Sequence, residues 1–305
     1  MEYAYAVAYI KTLENKMLTR SDLESLIHIG NIDSAIKYLK ERGWEGQSKQ
    51  ELLKNEYNKA WEKAYEVLPE NTPVDMLLYE RDFHNLKTVL KALLSGRDYK
   101  NMVLSPCNAE AQEIETAVKT GNYEALPEFI RDTAKEAYKL LTLTMDGQLM
   151  EVFVDKREHL SMLDCAKKDG GEFYIGYAEL LIKLANLKTM LRCRIAEKSD
   201  EFLKNALIEK GNYETILSLK TEEDIKAYLE KIGAPTELGE VEKWCDNEKL
   251  RYVKKAKAEC FSARPIMAFL IGKSFEIQAV RIILSCIENN AGEEIIRERL
   301  RDVYV

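Results

Sequence analysis

The sequence predicts an all-α protein, and three observations lead there. Glycine (14) and proline (6) are scarce in 305 residues, too few for the many turns of a β-rich fold. No stretch alternates apolar and polar residues with a period of two between hairpin turns. Apolar residues recur instead at helical spacing, between residues that start and stop helices. Apolar residues form 46% of the chain and charged residues 32%, a balance that supports a packed core and argues against disorder. Length alone suggests about two domains.

Taken in order, Ser21-x-x-Glu24 has the form of a capping box and opens a helix that Gly30 closes. Asn31 is placed to cap the next helix, which Gly43 ends, and Ser48-x-x-Glu51 opens another. Thr72-Pro73 sets a capping hydroxyl before a proline at the first helical position, where the missing N–H costs nothing. Leu77, Phe83, Leu86, Leu90, Leu93 and Leu94 then form an apolar stripe that runs to Gly96. Gly121 and Gly211 close further helices, with Asn122 and Asn212 placed to cap their successors. Thr221-x-x-Asp224, an acidic variant of the capping box, opens a helix that Gly233 ends.

The chain also repeats itself. Gly30-Asn31-Ile32-Asp33, Gly121-Asn122-Tyr123-Glu124 and Gly211-Asn212-Tyr213-Glu214 share one pattern at spacings of 91 and 90 residues. A glycine ending one helix and an asparagine capping the next makes a tight corner, so these six positions read as structural. A second motif occurs at Asn85 to Leu90 (NLKTVL) and again at Asn186 to Leu191 (NLKTML). Ala279 to Leu284 (AVRIIL) is a degenerate copy, and Ile10 to Leu13 a weaker one. Each of the first three has apolar residues around one basic residue: Lys87, Lys188 and Arg281. Those basic residues read first as ion-paired or snorkelling side chains. A period near 90 is too long for the ordinary helical solenoids. It divides the chain approximately into a first helical repeat over 1–72, a second over 73–171, and a third with additional helices over 172–305.

No chemistry-bearing constellation emerges. His28, His84 and His159 lie far apart and form no helical metal-ligand pattern, so no metal site is predicted. Gly272-Lys273-Ser274 resembles the end of a phosphate loop, but Met267 stands where that loop needs its first glycine, and the residues before it read as helix. Neither a nucleophile elbow nor a dinucleotide fingerprint occurs, and no Asp-Asp pair offers a magnesium site. No catalytic or cofactor-binding residue is predicted, and the chain reads as not an enzyme by itself. The net charge of −7 disfavours a nucleic-acid binder. The opening residues lack the basic region and cleavage site of a signal peptide. The longest strongly apolar stretch, Pro265 to Ile271, is far shorter than a membrane span. Six scattered cysteines without a C-x-x-C pair suggest reduced thiols in the cytosol.

Four stretches carry a family resemblance: Tyr5 to Thr19 (YAVAYIKTLENKMLT), Asn85 to Leu90, Glu172 to Arg192 (EFYIGYAELLIKLANLKTMLR), and Pro265 to Val305, ending EIIRERLRDVYV. Together they resemble the C subunit of the V-type (A-type) ATPases of bacteria and archaea, a relative of the d subunit of the eukaryotic vacuolar ATPase. The resemblance implies three pseudo-repeated helical lobes forming a funnel-like socket. It implies a non-catalytic central-stalk part that joins the central shaft, made of the D and F subunits, to the membrane rotor ring. Torque would then pass between ATP turnover and proton or sodium transport. The implied location is the cytoplasmic face of the cell membrane, peripheral, with no direct membrane span, no nucleic acid and no cofactor. The competing readings are a generic cytosolic all-α scaffold that binds proteins or peptides, and an all-α enzyme with an unrecognised acidic pocket.

Overall fold

Residues 2–68 and 72–305 are described by a computed structural model, and every regular element among them is a helix. In chain order these are α1 (Glu2–Glu14), α2 (Arg20–His28), α3 (Ile32–Glu41), α4 (Lys49–Tyr65), α5 (Tyr79–Ser95), α6 (Ala111–Thr120), α7 (Glu128–Thr144) and α8 (Gly147–Cys165). They continue with α9 (Gly171–Ile195), α10 (Asp200–Ala206), α11 (Tyr213–Ser218), α12 (Glu222–Ile232), α13 (Leu238–Lys254), α14 (Arg264–Glu288) and α15 (Glu293–Arg299). None of the helices among the described residues is long and apolar enough to cross a membrane.

The helix ends follow local chemistry. All six glycines expected at helix ends take a left-handed φ, from 66° at Gly211 to 85° at Gly43, a conformation that costs other residues about 1 kcal/mol or more. Thr221 and Asp224 close a reciprocal box at the start of α12. Ser48 caps α4 by accepting the Glu51 N–H, while the Glu51 carboxylate takes the N–H of Gln47. Two starts differ from expectation. The box of α2 is Thr19 with Asp22, two residues ahead of Ser21, which lies inside the helix. Asp22 wins because it also accepts hydrogen bonds from Arg42 and Tyr38, which Glu24 does not. Thr72-Pro73 opens a 3₁₀ turn, Pro73–Leu78, and α5 begins only at Tyr79.

Contacts group the chain into two units, Met1–Asn71 with Leu229–Val305, and Thr72–Tyr228. The first is built around α14, which is apolar on nearly every side and therefore buried, with α4, α13, α1, α2, α3 and α15 against it. Leu26, Ile27, Leu39, Leu52, Val280, Ile283 and Leu284 form part of its continuous core. In the second unit α5 lays its apolar face on α6, α7 and α8. Tyr79 stacks on Phe129 with ring centroids 4.0 Å apart, and Phe83 meets the same ring at an angle. The α9 helix carries α10 and α11 against it. Leu86, Leu90, Leu187 and Leu191 are all buried, as the helical spacing of the repeated motif requires.

Candidate functional site

The Gly272-Lys273-Ser274 segment lies well inside α14, and each of its first two residues has a structural task. A Cβ at Gly272 would stand 2.3 Å from Cγ of Tyr304, closer than any real contact, so the tyrosine ring rests on the helix backbone only because this residue is glycine. The Tyr304 hydroxyl donates to Oε1 of the buried Glu14 at 2.8 Å. Burial, followed by the Glu14 carboxylate, raises the tyrosine pKa far above its ordinary range. The last residues are thereby fastened to α1 and α14 at once.

Lys273 is 7% exposed and sits between two carboxylates, with Nζ 2.6 Å from Glu56 Oε1 and 2.9 Å from Glu276 Oε1. The ammonium also lies 5.2 Å from the ring centre of Trp44. Burial alone would lower its pKa, but the two carboxylates reverse the sign and raise it. Two acids facing one base leave an excess, and among the described residues Oε2 of both Glu56 and Glu276 has no hydrogen-bond partner. Burial pushes Glu276 up to about 7, against the pull of Lys273, so this carboxyl keeps a proton well above the usual carboxylate range. Such a cluster fixes α4 to α14 with little freedom to slide.

The repeated NLKT motifs hold a feature that the basic residue had obscured. Asn85 and Asn186 are each 1% exposed, and each clasps one backbone residue of a following loop with both ends of its amide. Asn85 donates to the Leu104 carbonyl at 2.9 Å and accepts the Leu104 N–H at 2.8 Å. Asn186 does the same with Ile208, at 3.0 and 2.8 Å. The 101-residue offset between the motifs was the available signal, but it pointed to the lysines because the loops that the asparagines hold are remote. Asp82, one turn before Asn85, gathers the same loop by accepting the N–H groups of Asn108 and Ala109 at 2.7 and 2.9 Å. Burial drives its pKa to about 6 although these donors favour the charged form.

The corner residues differ in how their asparagines act. Gly30, Gly121 and Gly211 share φ values of 68°, 72° and 66°. Asn31 caps α3 by accepting the Ser34 N–H at 2.8 Å. Asn122 precedes a 3₁₀ turn, Tyr123–Ala125, and its side chain makes no cap. Asn212 turns back instead, donating to the Lys183 carbonyl and the Tyr228 hydroxyl and accepting from Asn186 at 3.3 Å. In that copy the repeated corner and the repeated motif are physically joined. Ala279 cannot make the clasp that its asparagine counterparts make.

The three basic positions have three surroundings. Lys87 pairs with Asp155 of α8, and although burial opposes it, that partner with Glu158 and Glu151 raises its pKa. Lys188 is half-buried, and its charge is one of the groups that act on His159, whose pKa burial lowers. Arg281 is exposed. No three His, Cys, Asp or Glu side chains among the described residues gather as ligands for an ion. No two cysteines form a disulfide.

These features bind helices to one another and to their loops. Comparison with known proteins places such a frame in context. The family model described as ATP synthase (C/AC39) subunit matches residues 6–299. The C subunit of the V-type sodium ATPase of Enterococcus hirae is 23% identical, covering 100% of this chain and 99% of that protein. The C subunit of the A-type ATP synthase of Methanosarcina acetivorans is 25% identical, covering 98% and 92%. That of Pyrococcus abyssi is 19% identical, covering 99% and 90%.

Proposed function

The chain belongs to the ATP synthase (C/AC39) subunit family, a non-catalytic part of the V-type and A-type rotary ATPases, and from that premise we propose that it is the central-stalk socket between shaft and rotor ring. The observation that carries the reading is the family match, which runs along almost the whole chain. In this proposal the D and F subunits seat in a funnel of three pseudo-repeated lobes, spanning approximately 1–72, 73–171 and 172–305. The ring of the same complex lies on the other side, at the cytoplasmic face of the membrane. Torque then passes between ATP turnover and the movement of protons or sodium ions.

The physical demand on such a part is stiffness, because a coupling that yields dissipates torque as its own deformation. Close-packed helices supply low compressibility. Buried polar fasteners at Lys273, Asn85 and Asn186 resist sliding, since any displacement leaves a desolvated group without its partner. Capture of this chain from detergent-extracted native membranes tests the assignment. The socket reading expects the components of the shaft and of the ring to co-purify with it. Recovery of soluble proteins with no ATPase component contradicts it.

A further inference from the structure

In the first unit, the start of α2, one face of α13, and α15 with the residues after it enclose a cleft of about 310 Å³. Its lining is basic in a chain of net charge −7: Arg20, Lys243, Lys254, Arg297 and Arg301 face Glu24 and Asp302. Lys243 and Lys254 project together because eleven residues make almost three full helical turns. Arg297 and Arg301 are already engaged, by Glu24 and Glu293 and by Asp246. The other three have no carboxylate within ion-pair distance among the described residues. Among the described residues the Lys243 side chain reaches only the Glu298 carbonyl, while the side chains of Arg20 and Lys254 form neither a hydrogen bond nor an ion pair. Removal from water, with Lys257 close by, holds the Lys254 ammonium below its ordinary pKa in spite of Asp302. The lining thus carries more positive than negative charge, and its concave form concentrates the field of those cations.

We propose that this cleft docks a carboxylate-bearing amphipathic segment of a protein partner. Leu23, Leu300 and Val303 also line the cleft and add apolar surface, which suits a segment with acidic and apolar side chains together. A bare phosphate would leave that apolar lining uncovered, and the overall negative charge disfavours approach to an anionic lipid surface. Charge complementarity of this kind sets orientation and speeds capture. The inference rests on the cleft alone and not on the rotary assignment.

The test uses the full chain and a fluorescent helical peptide made of glutamate and leucine at amphipathic spacing. The peptide binds the unaltered chain, and added salt weakens it. In the double variant Arg20→Glu, Lys254→Glu, binding falls by about tenfold or more, whereas the exposed control Lys226→Glu on α12 binds as before. Circular dichroism and the thermal midpoint confirm that each variant is folded; both altered residues are exposed. No binding by the unaltered chain, or equal binding by the double variant, overturns the proposal. Displacement of the peptide by inorganic phosphate or phosphatidylserine vesicles, as readily as by unlabelled peptide, also overturns it and assigns the cleft to a phosphate. A chain that binds the peptide as described but co-purifies with no ATPase component keeps the cleft and loses the rotary assignment; the converse result does the reverse.

Discussion

Lys273 faces two buried carboxylates, so the consequences of removing its charge differ from those of removing a surface lysine. Lys273→Met leaves Glu56 and Glu276 facing each other without compensation and is expected to cost about 3–5 kcal/mol in urea unfolding. Glu276 offers a second check through pH. Its folded pKa of about 7 lies above the ordinary 4.5, so the folded state holds a proton that the unfolded chain has released. Stability from this group is therefore full below pH 4.5 and is lost as pH rises towards 7. Glu276→Gln removes that titration, and the variant should gain on the unaltered protein across the same window. Asp82, also raised, contributes its own slope to both proteins, so the difference between the two curves is the quantity to measure. A difference that stays flat from pH 4.5 to 7 contradicts the buried cluster. Asn186→Ala leaves the N–H of Ile208 without its partner, while the Ile208 carbonyl keeps the Lys210 N–H, and should cost about 1–3 kcal/mol. The sequence displayed Gly272-Lys273-Ser274 as a motif, but its meaning depended on Glu56 and Tyr304, which lie on remote segments.

At the scale of the helix, Leu187 lies 1% exposed on α9, and Leu187→Ala is expected to cost roughly 2–5 kcal/mol as a core truncation. Gly272→Ala inverts the usual rule for a helix interior. Alanine there normally gains about 1 kcal/mol. Here the added methyl displaces the Tyr304 ring, so the last residues should detach and become the first site of limited proteolysis, while α14 itself persists. A protease pattern identical to that of the unaltered protein would show that the tail does not depend on this seat. Helix ends were legible to different degrees. The glycine ends could be read directly because a left-handed φ is a property of one residue. The start of α2 could not, since Thr19-x-x-Asp22 and Ser21-x-x-Glu24 both have capping form and the choice depends on Arg42 and Tyr38, which come later in the chain. The two asparagine clasps were visible as a repeat but not as clasps, because their partners lie 19 and 22 residues away in loops with no periodic signal.

For the whole molecule, helicity and family were both present in the sequence, the first in spacing and caps, the second in four stretches from Tyr5 to the end. The basic cleft was not, because Arg20, Lys254 and Arg301 converge only after the segments from both ends of the chain fold around α14. Mechanical coupling between shaft and ring is open to a paired measurement. Membrane vesicles carrying the complex are prepared with this chain and without it, and ATP hydrolysis and ATP-driven ion uptake are followed in both. A socket between shaft and ring disconnects two working machines when it is removed. Hydrolysis should then continue while ion uptake disappears, and adding the chain back should restore uptake. Ion uptake that continues undiminished in its absence would contradict the socket and favour a scaffold outside the rotor.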